Sequence, residues 1–198
     1  EKEFMKALEK KCRSTETVLI LDEVQMGFGR TGKMFGFQNF DIIPDIICIA
    51  KGMGGGMPIG AFISSKENMN LLTHNPDLGH ITTFGGHPVS SAAALASLQV
   101  ILEDDLAKQA VIKGEKIAAG LINNEKVAEI RQIGLMLGIE LKEEYSTSKM
   151  VKVLQNHGLI VDQFLFNNSS FRIAPPLTIS SDEIEEVIKK VSICLDEI

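Results

Sequence analysis

The sequence predicts an α/β protein whose second half becomes α+β, and three observations carry that prediction. VLIL at 18–21 and DIICIA at 45–50 are unbroken apolar runs of strand length, the pattern of strands covered on both faces of a parallel sheet. Stretches with apolar residues at helical spacing flank these runs. Beyond about residue 108 the chain alternates instead, in VAEIRQIGLMLGIEL, and closes on an amphipathic helical pattern.

Taken in order, Phe4, Met5, Leu8 and Cys12 share one helical face, so residues 1–12 read as a helix leading into the first strand. Pro44 marks the boundary before the second strand. KGMGGGMP then joins that strand to GAFIS at 60–64, a connection shorter than the roughly dozen residues a parallel crossover needs, so the third strand should be antiparallel. PVSSAAALASLQVILED is small and apolar and should form a closely packed helix starting near Pro88. A further helix is expected over Asp104 to Asn123. VAEIRQIGLMLGIEL reads as a strand pair, MVKVLQNHGLIV as helix then strand, and FRIAPPL as a short strand stopped by Pro175 and Pro176. SSDEIEEVIKKVSICLDEI reads as an amphipathic helix capped by Ser or Asp.

Composition narrows the classes of partner. With 198 residues, 44% hydrophobic and 23% charged, the chain is an ordinary globular one, and its formal charge of −6 argues against a nucleic-acid footprint. No apolar run reaches the roughly 18 residues of a spanning helix, and EKEFMKALEKK at the start is charged and amphipathic unlike a signal peptide. A cytoplasmic protein acting on small molecules is the expectation. Cys12, Cys48 and Cys194 are odd in number and far apart, without metal-type spacing, and read as free thiols in packing roles.

The stretch LDEVQMGFGRTGKM at 21–34 invites two phosphate-binding readings, and both fail. In a dinucleotide fingerprint the first glycine follows the strand at once and an acid ends the next strand; here DEVQM intervenes and Asp45 begins that strand. In a P-loop a Ser or Thr hydroxyl follows the lysine, but position 34 is Met. GFGRTG is better read as a turn-rich surface loop.

The chemistry is expected instead where the two strands end. Asp22 closes the first and Lys51 follows the second, so in a parallel pair both emerge at the carboxyl edge, where open α/β sheets bind ligands. Ile49 and Ala50 precede Lys51 within a buried run, so the amine should be partly buried, a setting that favours a nucleophilic lysine and a Schiff base. Four glycines among Gly52 to Gly56 let a ligand approach the backbone. Asp22 and Glu23 read, on their own, as a solvated carboxylate pair. An acid opposite such a lysine also meets the need of pyridoxal phosphate, whose ring nitrogen must stay protonated to accept electrons.

LILDEVQMGFGRTGKMFGFQ, DIICIAKGMGGGMPIGAFI and HITTFGGHPVSSAAALASL, in this order, resemble the core signatures of the class III aminotransferases, the group that includes acetylornithine and ornithine aminotransferases. IRQIGLMLGIEL and FRIAPPLTIS resemble the small domain of the same family. The resemblance implies a fold-type-I pyridoxal-phosphate transferase, with residues 1–108 from the large cofactor domain and 109–198 as the small C-terminal domain. It implies that Lys51 carries the cofactor and moves the proton, that Asp22 pairs with the ring nitrogen, that Val24 stacks on the ring, and that Gln25 reaches its phenolic oxygen. Thr83, with Thr82 beside it, would bind the cofactor phosphate of a neighbouring subunit in a homodimer with shared sites. Arg172 would hold a substrate carboxylate through two parallel hydrogen bonds. The reaction implied is amino transfer from an amino acid or amine to a 2-oxo acid. Family members are about twice this length, so the chain is expected to be the C-terminal half and inactive alone, with a separate N-terminal half as a candidate partner. Two other outcomes share these residues: a racemase or aminomutase of the same class, and a non-catalytic partner half.

Overall fold

The computed structural model describes residues 1–198, which form two compact units, one of residues 1–28 with 33–105 and one of 29–32 with 106–198. The fold is mixed α/β in the first unit and α+β in the second.

The first unit begins with α1 (Lys2–Ser14), then β1 (Ile20–Asp22), β2 (Ile46–Ile49) and β3 (Ala61–Ser64). The sheet order is β1-β2-β3, with β2 parallel to β1 and antiparallel to β3. The parallel sense of β1 and β2 is the one their apolar runs suggest, and the antiparallel sense of β3 is the one its short connection predicts. Asp45 ties three elements together. Its Oδ1 and Oδ2 each accept from Arg13 Nη1 of α1 at 2.7 Å, and Oδ2 accepts from the Leu19 amide at 2.8 Å at the entrance to β1. That backbone donor, followed by Arg13, holds the Asp45 carboxyl below the usual carboxylate range. A carboxylate depressed in the folded state contributes stability above its unfolded pKa and loses it as pH falls through the folded one. Acid unfolding is therefore expected to be less steep in Asp45→Asn than in the parent chain, as read by circular dichroism between about pH 5 and pH 2; superimposable acid curves would count against it.

After α2 (Lys66–Asn70) and an exposed stretch, α3 spans Pro88–Glu103, with Pro88 at its first position, where no amide partner is lost. Asp105, at φ +50°, breaks α3 from the next helix. One expectation does not hold: the first sheet is not covered on both faces. Ile20 of β1 is 55% exposed and Phe62 of β3 43%, and β1 alternates exposed, half-buried, exposed. An apolar run records what a strand needs covered, not what covers it.

The second unit is built from α4 (Leu106–Leu121), the hairpin β4 (Val127–Ile133) and β5 (Met136–Leu141), α5 (Thr147–Asn156), β6 (Asp162–Phe164), β7 (Asn167–Ile173) and α6 (Ser181–Asp196). The sheet order β4-β5-β7-β6 is antiparallel throughout. Leu137, Ile139 and Leu141 of β5 alternate onto one face and meet Phe171 and Ile173 of β7, Ile117 and Leu121 of α4, and Val191 and Leu195 of α6 in one core. Ser180 and Glu183 form the reciprocal capping box that starts α6. At the other end of α6, Lys126 Nζ donates to the Leu195 carbonyl at 2.8 Å. The strand expected from Gly158 onward starts later, at Asp162, because Leu159 hydrogen-bonds back to the Leu154 carbonyl and prolongs the exit from α5.

GFGRTG is not the surface loop its glycines suggest. Gly29 and Thr31 are buried, and Gly29–Gly32 belong to the second unit. Arg30 Nη1 donates to the carbonyls of Leu135 (3.1 Å) and Pro175 (2.5 Å), while the Leu135 amide returns to the Arg30 carbonyl at 2.9 Å. Gly134, at φ +56°, allows that approach, since a Cβ there would overlap the Arg30 carbonyl and the backbone of Thr31 and Gly32.

Candidate active site

The carboxyl edge of β1 and β2 collects the acid and the amine singled out in the sequence. Asp22 is the last residue of β1, in register with Cys48, and the Glu23 amide extends the parallel ladder by donating to the Cys48 carbonyl at 2.9 Å. Strand alternation then separates the two neighbouring acids. Asp22 is exposed, and its Oδ1 accepts the Val24 amide at 2.9 Å in a local turn, which leaves Oδ2 for another donor. Glu23 is 3% exposed and points inward, where Oε2 and Oε1 accept the amides of Gly36 and Phe37, each at 2.8 Å. The pair is thus not a solvated couple: one acid is presented and the other is a structural cap on the Gly36–Asn39 turn.

Lys51 stands just past β2 and opens a short 3-10 turn, Lys51–Gly54. It is exposed, not partly buried as the apolar run before it suggests. The cause is backbone geometry. Ala50 is fully extended and Lys51 adopts φ +48°, so the chain leaves the sheet within one residue and carries the side chain out with it. A non-glycine residue in that region costs about 1 kcal/mol and needs surroundings that hold it. The Met53 amide closes the turn on the Ala50 carbonyl at 3.1 Å, and Gly55 leaves it at φ +56°.

The remaining predicted residues are distributed more widely. Val24 is half-buried and Gln25 exposed, both in the turn that follows Asp22. Thr82 and Thr83 are exposed on the chain that leads into α3, where the Gly85 amide donates to the Thr82 carbonyl. Arg172 belongs to the second unit, half-buried on β7. It lies directly opposite Asp162 of β6, and its Nη2 donates to Asp162 Oδ2 at 2.9 Å. Two groups escaped the sequence reading. Asp162 could have been found from its place at the start of a strand, whereas nothing local marks Ser97 of α3, whose Oγ donates to the Gly52 carbonyl at 3.1 Å.

Residues 1–195 match the family model of the aminotransferases of class III. The chain belongs to that family. Over 193 residues it is 40% identical to a putrescine aminotransferase of Pectobacterium atrosepticum, covering 94% of this chain and 41% of that protein. A transaminase from the marine bacterium Virgibacillus superposes with a TM-score of 0.90 at 27% identity, over 100% of this chain and 49% of the other. An omega transaminase of Pseudomonas jessenii, solved in complex with PMP, gives 0.85 at 32% identity over 96% and 45%. The chain therefore spans between two fifths and one half of the length of these three relatives. Its fold is that of the fold-type-I transaminases, and class III aminotransferases are pyridoxal phosphate enzymes.

The chemistry of the strand edge fits that cofactor. An exposed primary amine and a carboxylate with one oxygen to spare leave neighbouring parallel strands, and Gly56, in the glycine-rich stretch after the lysine, has open space where a side chain would be.

Proposed function

We propose that this chain supplies the lysine, the acid and the carboxylate-binding arginine of a pyridoxal-phosphate-dependent transfer of an amino group from an amine or amino acid to a 2-oxo acid. The observation that carries this reading is the emergence of Asp22 and Lys51 at one edge of a parallel strand pair. When bound, pyridoxal phosphate supplies the electron sink for the bond broken at the substrate carbon. Lys51 Nζ would hold the cofactor and, once displaced by the incoming amine, would move the proton from that substrate carbon to the cofactor carbon. Asp22 Oδ2 keeps a proton on the cofactor's ring nitrogen. Val24 packs against the ring, Gln25 binds its phenolic oxygen, and Thr82 and Thr83 serve the phosphate of a neighbouring subunit, so the working form is a homodimer. Arg172 binds the substrate carboxylate once its guanidinium exchanges Asp162 for the ligand. The relative named for putrescine supports an amine as donor.

The test is to mix the purified chain with pyridoxal phosphate, reduce with borohydride and map the modified peptide. The cofactor is expected on Lys51 above all other lysines, and Lys51→Ala is expected to lose it. Labelling spread evenly over surface lysines would defeat the assignment. Because the chain covers only about half of its relatives' length, the same sample is expected to show no turnover with putrescine and 2-oxoglutarate.

A further inference from the structure

The turn that carries Lys51 is held from one side by helix α3. Ser97 Oγ donates to the carbonyl of Gly52, the residue after the lysine, at 3.1 Å. Gly55, where the turn ends, lies so close to the same helix that an added Cβ would stand 3.0 Å from Ser97 Cβ and 3.2 Å from the Ala93 carbonyl. Gly52 also packs on Phe28, with a Cβ there falling 3.5 Å from Phe28 Cβ. Lys51 itself keeps a left-handed φ of +48°, a conformation that persists in a side-chain-bearing residue only where neighbours over-determine it. The Ser97 hydroxyl reaches this turn from outside it with a side-chain hydrogen bond.

We propose that Ser97 is a positioning residue for Lys51: its hydroxyl fixes the peptide that follows the lysine and so holds the amine at the carboxyl edge of β1 and β2. This rests on the role of Lys51 given above. The geometry explains why α3 is small and polar where it meets the turn: Ala93 and Ser97 permit the approach, and only Ser97 can also donate. Alanine at 97 would keep the approach and remove the bond.

The experiment is a time course of pyridoxal phosphate attachment to the 198-residue chain, quenched with borohydride and quantified peptide by peptide over a range of cofactor concentrations. In Ser97→Ala the limiting rate of attachment at Lys51 is expected to fall about threefold to tenfold, the range set by one ordinary hydrogen bond. The rates at other lysines should stay as in the parent chain, and the melting temperature should fall by no more than the few degrees that one hydrogen bond is worth. Ser97→Thr, which restores a hydroxyl, is expected to recover most of the loss. A parental rate at Lys51 in Ser97→Ala overturns the proposal, and so does slowing shared equally by all lysines, which would mark a general loosening of the unit. If the parent chain shows no preference for Lys51, the assignment of that lysine fails and this inference falls with it, a result told apart by the parent sample alone.

Discussion

Glu23→Ala is expected to destabilise the first unit by about 3 kcal/mol or more, since each buried amide left without an acceptor costs about 1 to 3 kcal/mol. Two such amides are at stake, those of Gly36 and Phe37, both bound by the Glu23 carboxylate at 2.8 Å. The site has little room for water to take over, with Glu23 3% exposed and Gly36 buried. Glu23→Gln keeps one carbonyl oxygen for one amide but turns an NH2 toward the other, so about half the loss should remain. Thermal melting followed by circular dichroism, with hydrogen exchange at the Gly36 and Phe37 amides, reads both variants. If Glu23→Ala melts within a degree of the parent chain and those amides stay protected, the capping role is wrong. The contrast with Asp22 is instructive, because the two acids are neighbours and chemically alike.

The core of the second unit should respond more strongly to a single truncation. Phe171 is fully buried on β7, opposite Ile139 of β5 and Gln163 of β6, and it is among the largest enclosed side chains of the chain. Truncating a buried Phe to Ala removes its transfer free energy and leaves a cavity, together about 3 to 5 kcal/mol. That is a large share of the roughly 5 to 15 kcal/mol that holds an ordinary domain folded. In native-state hydrogen exchange, Phe171→Ala should therefore lower the protection of β5 and β7 amides by about two to four orders of magnitude, at about 1.4 kcal/mol per tenfold. Amides of β1 and β2 belong to the other unit and serve as the internal control. Protection on β5 and β7 unchanged within tenfold would mean that the sheet does not close on α4 and α6 through this ring.

The molecule divides cleanly into features that a short window of residues specifies and features that need distant ones. The strands of the first sheet, their parallel and antiparallel senses, the start of α3 at Pro88 and the capping box of Ser180 and Glu183 all depend on side-chain periodicity, connection length or a hydrogen bond within three residues. The class III signatures around Asp22, Lys51 and Thr83 are likewise contiguous text, and the family could be named from them. Such signals survive in one dimension because the physics behind them is local. Other features have no local trace. Glu23 caps a turn 13 residues on, Ser97 reaches a carbonyl 45 residues back, and Arg30 bonds carbonyls 105 and 145 residues ahead. The burial of Gly29 and Thr31 around the Arg30 contacts comes from the same source. Each depends on which backbone amide or carbonyl a side chain meets after the chain has folded back on itself, and every residue offers the same two backbone groups, so no pattern of residue types announces the encounter.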